Sequence, residues 1–265
     1  MAKLSVKPST KLQPYIDRYF YEDKEYCDDE SLSFFLPGTG LDFFFHFGES
    51  VFMSKSELSY SYLVCPREIL NKNVLKEQFI AVRFKSGMFR HFSNVSYLDV
   101  KNKIVWADDV WGNQFKEFQK RFLDTTEISK KIELIEDFLI DLLSSFKKEE
   151  LVNWDCFNQK IYSDYKTIRI MDLVDYSNFS KRTFERNFKD HFGVTPKYFQ
   201  KLVRLEKTIK SIHLSKRNLL DCLEFGYYDQ SHFNKDFKEF IRMSPREYFK
   251  KNKFHYYFES LNNIK

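Results

Sequence analysis

Between Ser180 and Pro196 four charged side chains fall on one side of a helical period: Arg182, Glu185, Arg186 and Lys189 recur at steps of three and four, opposite Phe184, Phe188 and Phe192. A guanidinium presents a planar fork of donors, an ammonium a compact positive charge and a carboxylate a pair of acceptors. Such a set can meet a surface carrying negative charge and hydrogen-bonding edges, but a merely solvated helix face has the same spacing. The ends of the helix are written locally. Ser180 suits the N-cap, Gly193 suits the left-handed position past the last turn, and Thr195-Pro196 suits the start of the next helix.

A second copy changes the odds. Forty-nine residues on, Asp229-Gln-Ser-His-Phe-Asn-Lys-Asp-Phe-Lys-Glu-Phe-Ile-Arg-Met-Ser-Pro245 places Phe233 with Phe184, Phe237-Lys238 with Phe188-Lys189, and Ser244-Pro245 with Thr195-Pro196. Two copies are too few for a solenoid and suit a duplication within one compact domain.

Other residue types that do chemistry are present without their partners. His46 lies in a strand-like run and His91 follows a turn, and neither has a second ligand at metal-binding spacing. Cys27, Cys65, Cys156 and Cys222 are far apart and form no C-x-x-C pair. Ser163-Asp-Tyr-Lys166 matches S-x-x-K without its companion motifs, and no G-x-S-x-G occurs. No catalytic residue, metal or cofactor is expected, and a strand histidine such as His46 reads as packed in or near the core. No apolar run reaches the length of a membrane span, and the N-terminus lacks the apolar core of a signal peptide, so the expected compartment is the cytoplasm.

The elements that must position the duplicated faces follow from composition and period. The 265 residues include 30 Phe and 16 Tyr but only 7 Gly and 6 Pro, enough for two domains with real cores. Residues 1–155 carry a net charge of −4 and residues 156–265 a net of +9, so one half suits a polyanion and the other does not. DNA, RNA and an anionic membrane satisfy that balance equally.

From Leu12 to Val105 short aromatic-rich runs alternate with turn chemistry at Pro37-Gly-Thr-Gly40, Phe47-Gly-Glu-Ser50 and Lys85-Ser-Gly87. The runs 15–21, 33–36, 41–47 and 79–84 predict strands of a sandwich or small β-barrel, whose aromatic lining is either core or a site for an apolar ligand. The period then changes. Ile128, Ile132, Ile135, Leu139, Leu142 and Phe146 form an a/d seam on a helix over 127–146, facing either its own domain or a second subunit. Lys147-Lys-Glu-Glu150 is a polar break, and the boundary is placed between 147 and 160, giving domains 1–150 and 156–255. The fold class is α+β, a small barrel with a helical dimerisation segment followed by an all-α domain.

Within the second half, Ile170, Leu173 and Val174 start a short helix ahead of the one capped by Ser180, and Leu219–Phe225, the turn Gly226-Tyr-Tyr228 and 230–240 repeat that order. Helix, turn, helix is the unit that places its second helix in the major groove of DNA. Phe199, Leu202, Leu205, Ile209 and Ile212 make 196–213 a connecting helix, about 27 Å long. Such a strut suits two reading helices about one duplex turn apart.

This arrangement closely resembles the DNA-binding domain of AraC/XylS-type transcription regulators. The diagnostic strings are Ser180-x-Arg-x-Phe-x-Arg-x-Phe-Lys189 with Phe192-Gly-x-Thr-Pro196, and Gly226-Tyr-x-Asp-Gln-Ser-His-Phe233 with Phe237-Lys238 and Ser244-Pro-x-x-Tyr248. The N-terminal half is similar, more weakly, to cupin-like sensory domains through Leu36-Pro-Gly-x-Gly-Leu-Asp-Phe43 and Val82-Arg-Phe-Lys-Ser-Gly87. Arg242 departs from the family's Gly, Val174 from its Ala, and Asp221-Cys222 from its Ile-Ala; Asp221 is expected to face solvent while Leu219, Leu220 and Leu223 supply the apolar face.

The unit's geometry gives Arg182, Glu185 and Arg186 to base edges, and the family pattern adds Gln230, Ser231, Asn234 and Lys235. Lys181, Lys189, Lys197 and Lys238 are assigned to phosphates. The resemblance implies a sequence-specific activator of transcription with double-stranded DNA and RNA polymerase as partners, a small-molecule effector, and a homodimer. The competing readings are an effector-independent DNA-binding regulator whose first domain only dimerises, and a cupin-type enzyme fused to a DNA-binding module.

Overall fold

The computed structural model describes residues 2–25, 32–48, 51–52, 61–146, 153–215 and 223–250. An antiparallel sheet forms the N-terminal region and helices form the C-terminal one. The strands are β1 (Ala2–Val6), β2 (Ile16–Glu25), β3 (Leu32–Phe35), β4 (Leu41–His46), β5 (Val51–Phe52), β6 (Ser61–Val64), β7 (Leu70–Phe84) and β8 (Ile104–Trp106). They run in the order β1-β2-β7-β4-β6-β8, with β3 and β5 also paired to β7. The long β7 is the hub. Residues 79–84, the part its apolar alternation predicts, pair with both β2 and β4, whereas its polar first half takes β5 and β3.

Alternation along β4 sends side chains to both faces of the sheet. Leu41, Phe43 and Phe45 join Tyr19, Ile80 and Val82 in one core, while Phe44 joins Phe20, Phe35, Tyr62 and Phe79 in another. The rings fill this space: Phe43 lies 5.0 Å from Trp111 and Phe45 lies 5.5 Å from Phe122, centroid to centroid. The aromatic residues left open above as core or ligand lining are core. His46 is buried with its Nε2 3.2 Å from the Tyr62 hydroxyl.

After the short helix α1 (Tyr97–Val100), two helices cover the first of these cores. One is α2 (Ala107–Asp124), unassigned from the sequence, with Trp111, Phe115, Phe118 and Phe122 buried. The other, α3 (Ile128–Ser145), carries the heptad seam, and of the two faces left open for it most of the seam meets its own domain. Ile132, Ile135, Leu139 and Leu142 are buried in the chain's own core, and Ile128 and Phe146 pack half-buried against it. The sheet with α2 is broad and strongly apolar, so it takes up the middle four of these six and leaves Ile128 and Phe146, at the helix ends, partly exposed.

The remaining helices are α4 (Trp154–Asp164), α5 (Ile170–Ser177), α6 (Lys181–Phe192), α7 (Pro196–Ser215), α8 (Gln230–Ile241) and α9 (Pro245–Lys250). Asn153 caps α4 by accepting from the amides of Asp155 and Cys156, so helix begins two residues ahead of the expected domain start at 156. Among the described residues no helix is long and apolar enough to cross a membrane.

The two regions are packed together rather than strung on a linker. Arg90 donates to the Asp155 carboxylate, the Asn158 amide donates to the Ser86 carbonyl at 2.9 Å, and the Thr39 hydroxyl donates to Glu206 at 2.9 Å. The Pro37–Gly40 string, which reads as a simple turn, is therefore part of an interface.

Candidate nucleic-acid interface

The first unit is α5 and α6 joined by a turn in which Asn178 is left-handed at φ 57°. The Ser180 hydroxyl accepts from the amide of Thr183, and Gly193 at φ 76° ends the helix with its amide on the Lys189 carbonyl, so both caps form as the sequence predicts. Phe184, Phe188 and Phe192 are fully buried. Their neighbours include Trp154 and Phe157 of α4, Leu173 and Val174 of α5, and Phe199 of α7. That packing turns the other face outward: Lys181, Arg182, Arg186 and Lys189 are exposed and Glu185 is half-buried.

In the second unit the first helix expected over Leu219–Phe225 lies partly outside the described residues, at Leu219, Leu220, Asp221 and Cys222. Leu223 is described and corrects its expected role. It is 57% exposed, because the chain there is already in a tight turn, and Phe225 enters the core instead. Gly226 at φ 80° and a buried Tyr227 lead to α8, where the Asp229 carboxylate accepts from the His232 amide at 2.7 Å. An acidic N-cap also suits the positive end of the helix dipole.

Phe233, Phe237 and Phe240 are buried against Leu202, Leu205 and Ile209 of α7, leaving Gln230, Ser231, Asn234, Lys235 and Lys238 exposed. Arg242 takes the left-handed conformation at φ 62° that the family's Gly would adopt, with its amide on the Lys238 carbonyl at 3.1 Å. The substitution preserves the cap at a backbone cost of about 1 kcal/mol.

Between the units runs α7, 20 residues and about 30 Å long. Lys197, in its first turn, is exposed. A polar tie that the spacing of apolar residues gave no means of finding joins α7 to α8. The Lys201 ammonium lies 3.0 Å from both Asp236, which is buried, and Glu239. Although burial works against its charge, these two carboxylates hold the Lys201 ammonium above the usual lysine range. Asp236 stands on the inner face of α8, where an apolar residue would be expected, and its contact four residues back with His232, at 3.4 Å, completes the cluster.

Among the described residues, the side chains assigned to bases and phosphates make no ion pair or hydrogen bond of their own. Two helix faces thus carry donors, acceptors and positive charge held in place from behind by aromatic cores, with no described residue of the chain using them.

Residues 173–251 match the family described as a helix-turn-helix domain, which spans both of these units. They are an AraC-type helix-turn-helix domain. Residues 4–106 match a domain of unknown function, DUF6597, which covers the sheet region up to β8. Over 80 residues the chain is 34% identical to an uncharacterized HTH-type transcriptional regulator of Haemophilus influenzae, a match covering 30% of this chain and 27% of that protein. Over 97 residues it is 28% identical to the transcriptional regulatory protein HptR of Staphylococcus aureus, covering 36% and 38% of the two chains. These matches therefore span well under half of either relative's length. Among solved structures, ToxT of Vibrio cholerae superposes with a TM-score of 0.48 at 14% identity, covering 87% of this chain and 98% of that one. A further ToxT structure, with a bound unsaturated fatty acid, gives a TM-score of 0.41 at 13% identity, covering 93% and 92%. The AraC-type domain accounts for the duplicated cores, caps and exposed faces described above.

Proposed function

We propose that the chain is a sequence-specific, double-stranded-DNA-binding transcription regulator in which α6 and α8 each enter a major groove. The observation that carries this reading is the pair of exposed helix faces, without partners among the described residues, on α6 and α8, which both pack against one strut. Duplex DNA is favoured over RNA and membrane because two separate helices with polar N-terminal faces suit two accessible grooves, whereas the major groove of an RNA helix is too deep and narrow to admit a helix. Arg182, Arg186 and Lys235 suit guanine, Gln230 and Asn234 suit adenine, Glu185 suits cytosine, and Ser231 suits either. Lys181, Lys189, Lys197 and Lys238 add affinity without sequence preference.

The effector, where the sequence resemblance looks to the first domain, is better supported between the domains. A cavity of about 320 Å³ lies there, walled by Leu36, Pro37 and Phe84 of the sheet region and Ile209 of α7. Arg18, paired with Asp17, and Arg83, paired with Asp42 and Glu206, line it together with Lys85, Lys207 and Lys210, and the remaining positive charge suits a ligand with an apolar body and an anionic group. A ligand touching both regions shifts the population of their arrangements by its difference in affinity between them. Activation, RNA polymerase as a partner and a cytoplasmic location follow from the family resemblance.

The test is selection of bound duplexes from a random pool by the native chain and by an Arg186→Ala/Lys235→Ala variant. Enrichment of a site with two short blocks about one helical turn apart, lost in the variant, is the expected outcome. A native protein that enriches no sequence refutes the reading.

A further inference from the structure

The segment between β6 and β7, Pro66-Arg-Glu-Ile69, belongs to the sheet region yet touches the C-terminal ends of both reading helices. Its own domain holds it firmly: the Asn102 side-chain oxygen accepts from the amides of Arg67, at 2.7 Å, and Glu68, at 3.2 Å. The Arg67 side chain is fully buried. Its guanidinium donates to the Gly38 carbonyl on one side and, at 3.0 Å, to the carbonyl of Phe192, the last residue of α6, on the other. That carbonyl is among those a helix leaves unpaired at its C-terminus, where the helix dipole also favours a cation. The Arg67 carbonyl in turn accepts from the Tyr198 hydroxyl of α7 at 3.0 Å.

Two residues further on, the Ile69 amide donates to the carbonyl of Phe240 in the last turn of α8 at 3.0 Å, and Arg242 just beyond donates to Glu68. Three consecutive residues, Arg67 to Ile69, thus touch the ends of both reading helices and the strut between them.

We infer that this segment is a clamp that fixes the angle and separation of α6 and α8, with Arg67 as its positioning residue, so that the first domain sets which half-site spacing the second can read. The inference rests on the DNA-reading proposal above for its purpose, though not for its mechanics. Among the described residues the units are otherwise joined through α7, which meets α8 through Leu202, Leu205 and Ile209 and through the Lys201–Asp236 pair. A strut held at one side leaves the ends of the reading helices free to pivot. Bonds to the terminal carbonyls of both remove that freedom, and a spacing error at the groove is then resisted by buried hydrogen bonds.

The test pairs a conformational readout with a DNA readout on the full chain. Nitroxides are placed at positions 182 and 235 through an unnatural ketone-bearing amino acid, which leaves the cysteines alone, and the distance between them is measured by pulsed electron resonance without DNA. Unlabelled proteins are run in parallel through selection from a pool in which the gap between half-sites varies. The native chain, Arg67→Met and Arg67→Lys are compared. A Tyr198→Phe/Arg242→Ala variant removes two hydrogen bonds at the rim of the clamp and leaves the buried guanidinium in place, should Arg67→Met not fold.

The expected result is a narrow distance distribution and one enriched spacing for the native chain. Arg67→Met should show a broadened or displaced distribution and several spacings, with partial rescue in Arg67→Lys and an intermediate shift in the double variant. Identical distances and spacings in the native chain and in folded Arg67→Met, or in the double variant if that one does not fold, overturn the clamp. A distribution that responds to Arg67→Met while no protein enriches any duplex upholds the clamp and removes DNA as what it serves.

Discussion

Replacing Arg186 by alanine separates recognition from stability. The side chain is exposed near the middle of α6 and, among the described residues, forms no hydrogen bond or ion pair, so the free protein loses nothing when it is removed. Alanine is an equal or better helix former, and the unfolding free energy should stay within about 0.5 kcal/mol of the native value. In complex, removing a bidentate pair of hydrogen bonds to one guanine costs about 1–3 kcal/mol, about a 5- to 160-fold rise in Kd at the preferred site. On random duplex the change should be much smaller, because no base-specific hydrogen bond is formed there. Lys189→Ala is the control: without its ammonium beside a phosphate, binding to both duplexes should weaken alike and the slope of log Kd against log salt should fall by about 1. The assay is fluorescence anisotropy on the selected and a scrambled duplex at several salt concentrations, beside urea unfolding of each protein. Equal losses on both duplexes for Arg186→Ala, or a stability change that accounts for the weaker affinity, would refute the assignment of this face to base edges.

Leu139→Ala, at a fully buried position in α3, should destabilise the first domain by about 2–5 kcal/mol in urea unfolding; intact stability with a halved mass in solution would return the seam to a subunit interface. Lys131 is buried between the rings of Phe47 and Phe122, which pulls its ammonium down to about 8 from 10.5. The folded chain gives up this proton before the unfolded chain does, so stability should rise as pH climbs from about 8 to about 10.5, a slope absent from Lys131→Met. Parallel pH profiles for the two proteins contradict that account. For the Asp155 carboxyl, burial works upward, but hydrogen bonding and charge from His91 and Arg90 outweigh it and hold the pKa below the usual aspartate value. Its contribution should be present above the ordinary carboxylate range and be lost as pH falls through the lowered pKa, and thermal melts of Asp155→Asn should lack that acid limb; an unchanged limb would assign it to other carboxylates.

Much of the reading unit was legible because its instructions are local. Phe184, Phe188 and Phe192 sit at a spacing that only a helix brings to one side, and Ser180 and Gly193 act on amides and backbone angles within a few residues of themselves. The same holds for Phe233 and Phe237, and for β4, where strict alternation serves two cores. Signals failed where the pattern was ambiguous in kind. The polar first half of β7 looks like a loop, since a strand edge needs only backbone groups to pair, and Leu223 looks apolar enough for a core that the turn around it does not reach.

What the sequence determined by itself is therefore the existence of two amphipathic helical units, their caps, and the charge they carry outward. Only the tertiary structure decided against what each apolar face is spent. The heptad of α3 has the same period whether it meets a second subunit or its own sheet, and the surplus of Phe on the sheet and α2 settles it inward. Only the tertiary structure, too, brings Arg67 to the Phe192 carbonyl and Ile69 to the Phe240 carbonyl. Periodicity records how a segment is buried; hydrogen bonds between residues more than a hundred positions apart depend on how whole elements dock, and no local spacing encodes them.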